Sequence, residues 1–80
     1  MPNGNAIPLS HMRPGQSGMV AEIRGGYGMV NRLNGMGIMP RKRIKKVSSM
    51  IGRGPITIEV DRAQIAIGFR MAQRIIVALD

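Results

Sequence analysis

Apolar and polar residues alternate in steps of two along most of this chain, and the interruptions mark its corners. From Gly18 to Arg24, Met19, Ala21 and Ile23 alternate with Val20, Glu22 and Arg24, which predicts a first strand. Arg43 to Ser49 reads as a second, although Ile44 and Val47 differ in phase; a β-bulge or a strong bend would reconcile them. Ile56, Ile58 and Val60 alternate with Thr57, Glu59 and Asp61, and Ala63, Ile65 and Ile67 resume the pattern after a break at Asp61-Arg62. Those two segments predict a hairpin. Ile75 to Leu79 closes the chain as a mostly buried strand, preceded by one helical turn from Phe69 to Arg74 with Met71 and Ile75 at i, i+4. Ile7-Pro8-Leu9-Ser10 reads as an extended lead-in, residues 1–5 as a fraying end, Pro14-Gly15 as a turn, and Gly52-Arg53-Gly54-Pro55 as a tight connection.

One segment follows a different period. Met29, Leu33 and Met36 fall at i, i+4 and i+7, one apolar stripe on a 3.6-residue repeat. Gly37 suits the left-handed position just past a helix end, and Ile38 then sits where a Schellman cap packs an apolar residue against Leu33. Pro40 cannot continue the helix. The expectation is a single mainly β domain over residues 1–80, a small SH3-like barrel of about five strands with one short α-helix between the first two. A helical turn precedes the last strand, and an OB-fold is the nearest rival.

Composition narrows the chemistry. With no cysteine, one tyrosine, one phenylalanine and no tryptophan, the core must be built from Ile, Val, Leu and eight adaptable methionines. Twelve Lys and Arg against four acids leave a net charge of +8, and the run Arg41-Lys42-Arg43-Ile44-Lys45-Lys46 points to an anionic partner or to a solvated strand face. No apolar run approaches the ~20 residues of a membrane span. No leader is legible either, so the expected location is the cytoplasm.

General acid–base catalysis needs carboxylates or histidines with tuned pKa values. Glu59 and Asp61 beside Arg62 read as a solvated strand edge, and His11 is the single imidazole, so catalysis is not expected. One histidine without cysteine cannot complete a closed metal site; His11 and Asp80 are the weak candidates. A basic strand could neutralise phosphates, but stacking aromatics are scarce, so nucleic acid is not the expected partner.

Pro8-Leu9-Ser10, Pro14-Gly15, Arg32-Leu33-x-x-Met36-Gly37-Ile38-x-Pro40, Gly54-Pro55-Ile56, Ile65-Ala66-Ile67 and Ala72-x-x-Ile75-x-Val77, in that order, resemble the ferrous-iron transport protein A (FeoA) family. The resemblance implies an SH3-like domain in the cytoplasm that modulates Fe(II) uptake by docking on the cytoplasmic part of the ferrous-iron membrane transporter. Arg32, Leu33, Met36, Gly37, Ile38, Arg41, Lys42 and Arg43 are the candidate contact residues; Leu33, Met36 and Gly37 also have an obvious structural role. No cofactor is required. The alternative the family suggests is a regulatory domain that binds a divalent transition metal such as Fe(II) or Zn(II), as at the C-terminus of metal-dependent repressors. Self-association and peripheral contact with a membrane surface are further expectations. Where the family usually places glycine after the proline, this chain has Arg41, so a positive φ there would strain the residue or reshape the turn.

Overall fold

The computed structural model describes residues 6–49, 52 and 54–80. Residues 1–5 and Arg53, part of the expected connection, lie outside the described residues. The elements run β1 (Ala6–Pro8), a 3₁₀ turn (Leu9–His11), β2 (Ser17–Ile23), α1 (Tyr27–Gly35), β3 (Arg43–Ser49), β4 (Ile56–Val60), β5 (Ala63–Ile67), α2 (Phe69–Ala72) and β6 (Ile75–Leu79). They form one antiparallel sheet in the order β1-β6-β2-β3-β4-β5.

The described residues form six strands rather than about five, because the lead-in pairs with the last strand: Ala6, Ile7 and Pro8 stand opposite Ala78, Val77 and Ile76. Among the described residues the ladder does not close by hydrogen bonds, since β1 and β5 are its two edges. A three-residue strand ending in a proline, which has no N–H, offers little to pair with. Instead α2, which follows β5, touches the 3₁₀ turn that follows β1.

The alternation read from the sequence decides the packing. Ile56, Ile58 and Val60 of β4 are buried on one face, with Ile67 beside them on β5 and Ile75 and Val77 on β6. They join Leu9, Met12, Val20, Leu33, Ile38, Ile44 and Ala72 in a single core. The phase conflict in β3 is resolved by a bulge: Lys46 pairs with Ile58 but Ser48 with Thr57, which shifts the register around Val47. A second shift, around Ala21, bends β2 against β6. Gly18 is required where these strands meet, since a Cβ there would lie 2.5 Å from the Ala78 carbonyl oxygen and 2.7 Å from Val77 Cγ1. No helix of the described chain is long and apolar enough to cross a membrane.

A strained basic corner as candidate interaction site

Three turns converge at one corner of the sheet. The first ends α1. Ile38 N–H donates to the Leu33 carbonyl at 2.9 Å and Gly37 N–H to the Asn34 carbonyl at 3.0 Å, the two bonds of a Schellman cap, with Gly37 at φ +91°. The second runs from Met39 to Lys42. Lys42 N–H closes onto the Met39 carbonyl at 3.1 Å, with Pro40 second and Arg41 third at φ +75°, the pattern of a type II turn. Glycine normally holds that third position, so the departure at Arg41 leaves the turn intact and strains the residue. Arg41 N–H to the Val20 carbonyl at 2.7 Å and Val20 N–H to the Lys42 carbonyl at 2.8 Å hold the turn against β2.

The third turn joins β4 to β5 through Asp61 and Arg62, at φ +52° and +69°. Positive φ at both central residues of a two-residue hairpin defines type I′, for which Asn-Gly or Asp-Gly is the usual sequence. Arg41, Asp61 and Arg62 are the non-glycine residues with positive φ among the described residues, and all three meet here. Lys42 Nζ lies 2.7 Å from Asp61 Oδ2 and ties the second turn to the third. A Cβ on Gly37 would stand 3.7 Å from Val60 Cγ1 and 4.0 Å from Asp61 Oδ2, which brings the helix cap against the same hairpin.

The candidate contact residues divide by burial. Leu33 and Ile38 are fully buried and hold the cap from inside; Met36 and Gly37 are half-buried. Arg32, Arg41 and Arg43 are exposed and Lys42 is partly so. Met39, in the turn, and Met19, paired with Arg43 on the outer face, are each 39% exposed and add apolar surface among these cations.

Electrostatics sorts the cations further. Glu22 pairs with Arg24, Asp61 with Lys42 and Asp80 with Arg43, while Glu59 stands opposite Lys45. Arg32, Arg41 and Arg62 therefore have no carboxylate partner among the described residues. Glu59 and Asp61 do not act together, because Asp61 belongs to the turn and to Lys42. His11 is exposed on the 3₁₀ turn, Asp80 is engaged by Arg43, and the described residues contain no group of three or more His, Cys, Asp or Glu suited to a metal ion.

Two residues carry more than the sequence pattern assigned to them. Lys46, read as part of the basic run, is only 3% exposed; its Nζ donates to the Met12 carbonyl, and burial lowers its pKa from the ordinary 10.5. The signal was the shared phase of Ile44 and Lys46 ahead of the bulge. Arg62, read only as a break between strands, is an exposed cation at the centre of the corner.

The fold and sequence have known counterparts. The family model described as FeoA domain matches residues 7–79. A crystal structure of an iron uptake regulatory protein (FeoA) is 37% identical with a TM-score of 0.88, over 94% of this chain and 99% of that one. A manganese-dependent transcriptional repressor is 27% identical with a TM-score of 0.88, over 100% of this chain but 45% of the repressor. An iron(II) transport protein A from Clostridium thermocellum shares the fold at TM-score 0.83 and 23% identity, over 90% of this chain and 45% of that one. No curated protein sequence matches. The family model, spanning nearly the whole chain, places it in the FeoA family, non-catalytic accessory domains with a role in ferrous-iron uptake.

Proposed function

We propose that this chain is a cytoplasmic accessory protein of Fe(II) uptake that docks, through the strained basic corner, on the cytoplasmic part of the ferrous-iron membrane transporter. The observation that carries this reading is the convergence of three left-handed non-glycine residues on one surface, where Arg41 and Arg62 stand without a carboxylate partner beside exposed Met39. Strained backbone that a fold does not need for packing concentrates at sites of function. Arginine and methionine are also enriched at interfaces. The matching surface is acidic, with a shallow apolar recess for a methionine side chain.

Leu33, Gly37 and Ile38 serve the contact by holding the corner rather than by touching the partner. Arg32, Arg41, Lys42, Arg43 and Arg62 steer the encounter, which makes association faster and tighter at low salt. Titration calorimetry against the soluble cytoplasmic domain of the transporter tests this. Arg41→Glu combined with Arg62→Glu reverses two charges without relieving either turn, and is expected to weaken binding by at least about tenfold. Unchanged affinity in that folded variant, or no binding by the natural chain even at low salt, overturns the reading.

A further inference from the structure

The geometry points to a second docking surface, which adjoins the basic corner and shares Arg62 with it: the free edge of β5 and the cavity beside α2 accept an extended acidic peptide segment, which adds to the sheet as a further strand. Exposed sheet edges are normally guarded by lysine, proline, a bulge or a covering element. Among the described residues β5 has none of these. Its sequence, Ala63-Gln64-Ile65-Ala66-Ile67, is uncharged and free of proline, and its register against β4 runs unbroken from Ala63 to Ile67.

The backbone groups on offer follow from the hairpin. A two-residue turn makes Val60 and Ala63 a hydrogen-bonded pair, and antiparallel alternation does the same for Ile58–Ile65 and Ile56–Ile67. The N–H and C=O groups of Gln64 and Ala66 therefore point away from β4, and among the described residues no hydrogen bond from another element reaches them. Ile65, on the inner face, is only half-buried, so an added strand would cover it.

The edge leads directly into a cavity of about 500 Å³ lined by Gly68, Phe69, Arg70, Met71 and Gln73. Phe69 and Met71 pack on the core and give this cavity an apolar floor, and Arg70 is exposed at it. The occupant follows from charge: Arg62 stands at one end of the edge, Arg70 at the other, and the chain carries +8, which repels a second copy. A segment of about five residues spans the strand at ~3.3 Å per residue, with acidic residues toward the two arginines and apolar ones over Ile65 and the cavity.

The probe is a capped heptapeptide that alternates glutamate with valine, followed by amide chemical shifts and calorimetry. The expected result is saturable binding with the largest shifts at Gln64 and Ala66. Ala66→Pro removes an outward N–H while leaving the β4–β5 ladder, so it is expected to retain the fold and to lose at least about tenfold in affinity. N-methylation of the peptide on its ladder side is expected to abolish binding to the unaltered protein, and a lysine–valine peptide is not expected to bind. Absence of shifts at Gln64 and Ala66, binding indifferent to N-methylation, or a dimer of the free protein held through β5 would each overturn the assignment.

Discussion

Lys42 Nζ and Asp61 Oδ2, 2.7 Å apart, join two turns that each hold a left-handed residue without being glycine. The side chains are 32% and 66% exposed, so solvent screens most of the attraction between them. Their importance is positional. The pair fixes how Arg41 and Arg62 stand relative to one another, and with them the charged surface that the proposed docking uses.

Asp61→Asn isolates that pair, because asparagine tolerates the left-handed region as well as aspartate does. Stability to urea is expected to fall by less than about 1 kcal/mol, the usual worth of an exposed ion pair. A loss well above that would mean that the pair holds the hairpin itself.

Arg41→Gly is expected to stabilise the domain. Left-handed backbone costs an L-residue roughly 1–2 kcal/mol, and glycine avoids most of that cost. The thermal midpoint should rise by about 4–8 °C for each kcal/mol recovered in a domain of this size. The same variant is expected to dock less well, since it removes an exposed cation. A stabilised variant with undiminished docking would dissociate the strain from the interface.

Gly18→Ala is expected to unfold the protein or to cost several kcal/mol. The new methyl would meet the Ala78 carbonyl oxygen at 2.5 Å, and backbone within a paired strand cannot step aside cheaply. Gly37→Ala is the contrasting case. Its Cβ would find ordinary contacts at 3.7 and 4.0 Å, so the expected loss is about 1 kcal/mol from φ alone. Chemical denaturation of both variants checks the order.

Lys46 predicts a pH dependence of a definite sign. Burial lowers its pKa in the folded state from the ordinary 10.5, so below that value the unfolded chain binds more protons than the folded one. Stability therefore rises with pH across the window below 10.5 and levels off above it. Lys46→Met keeps the length of the side chain, removes the charge and leaves the Met12 carbonyl without its donor. The alkaline rise is expected to vanish in the variant, measured by unfolding free energy against pH. An identical rise in both proteins would assign it to other groups.

Much of the fold was legible because its signals are local. The Schellman cap at Gly37 and Ile38, the bulge in β3, the hairpin broken at Asp61-Arg62 and the turn of α2 each depend on residues a few positions apart. Two things were not legible in the same way. Leu33 and Ile38 were candidates for contact on their motif alone, whereas burial depends on what packs over them. Asp61 and Arg62 read as a mere interruption, because nothing near them in the chain says that Lys42 and Gly37 arrive at the same corner.

By itself the amino-acid order determined the period of each segment, the stop at Gly37 and Pro40, the basic balance and the family, since these rest on spacing, side-chain chemistry and backbone permissiveness over short distances. The tertiary structure decided which cations keep a free charge, that Lys46 points inward, that Arg41 adopts a glycine-like conformation, and that β5 is left as an edge. Those outcomes arise from pairing and burial between residues far apart in sequence. Pairing and burial neutralise some charges, strain others into place, and leave one strand's hydrogen-bonding groups facing outward.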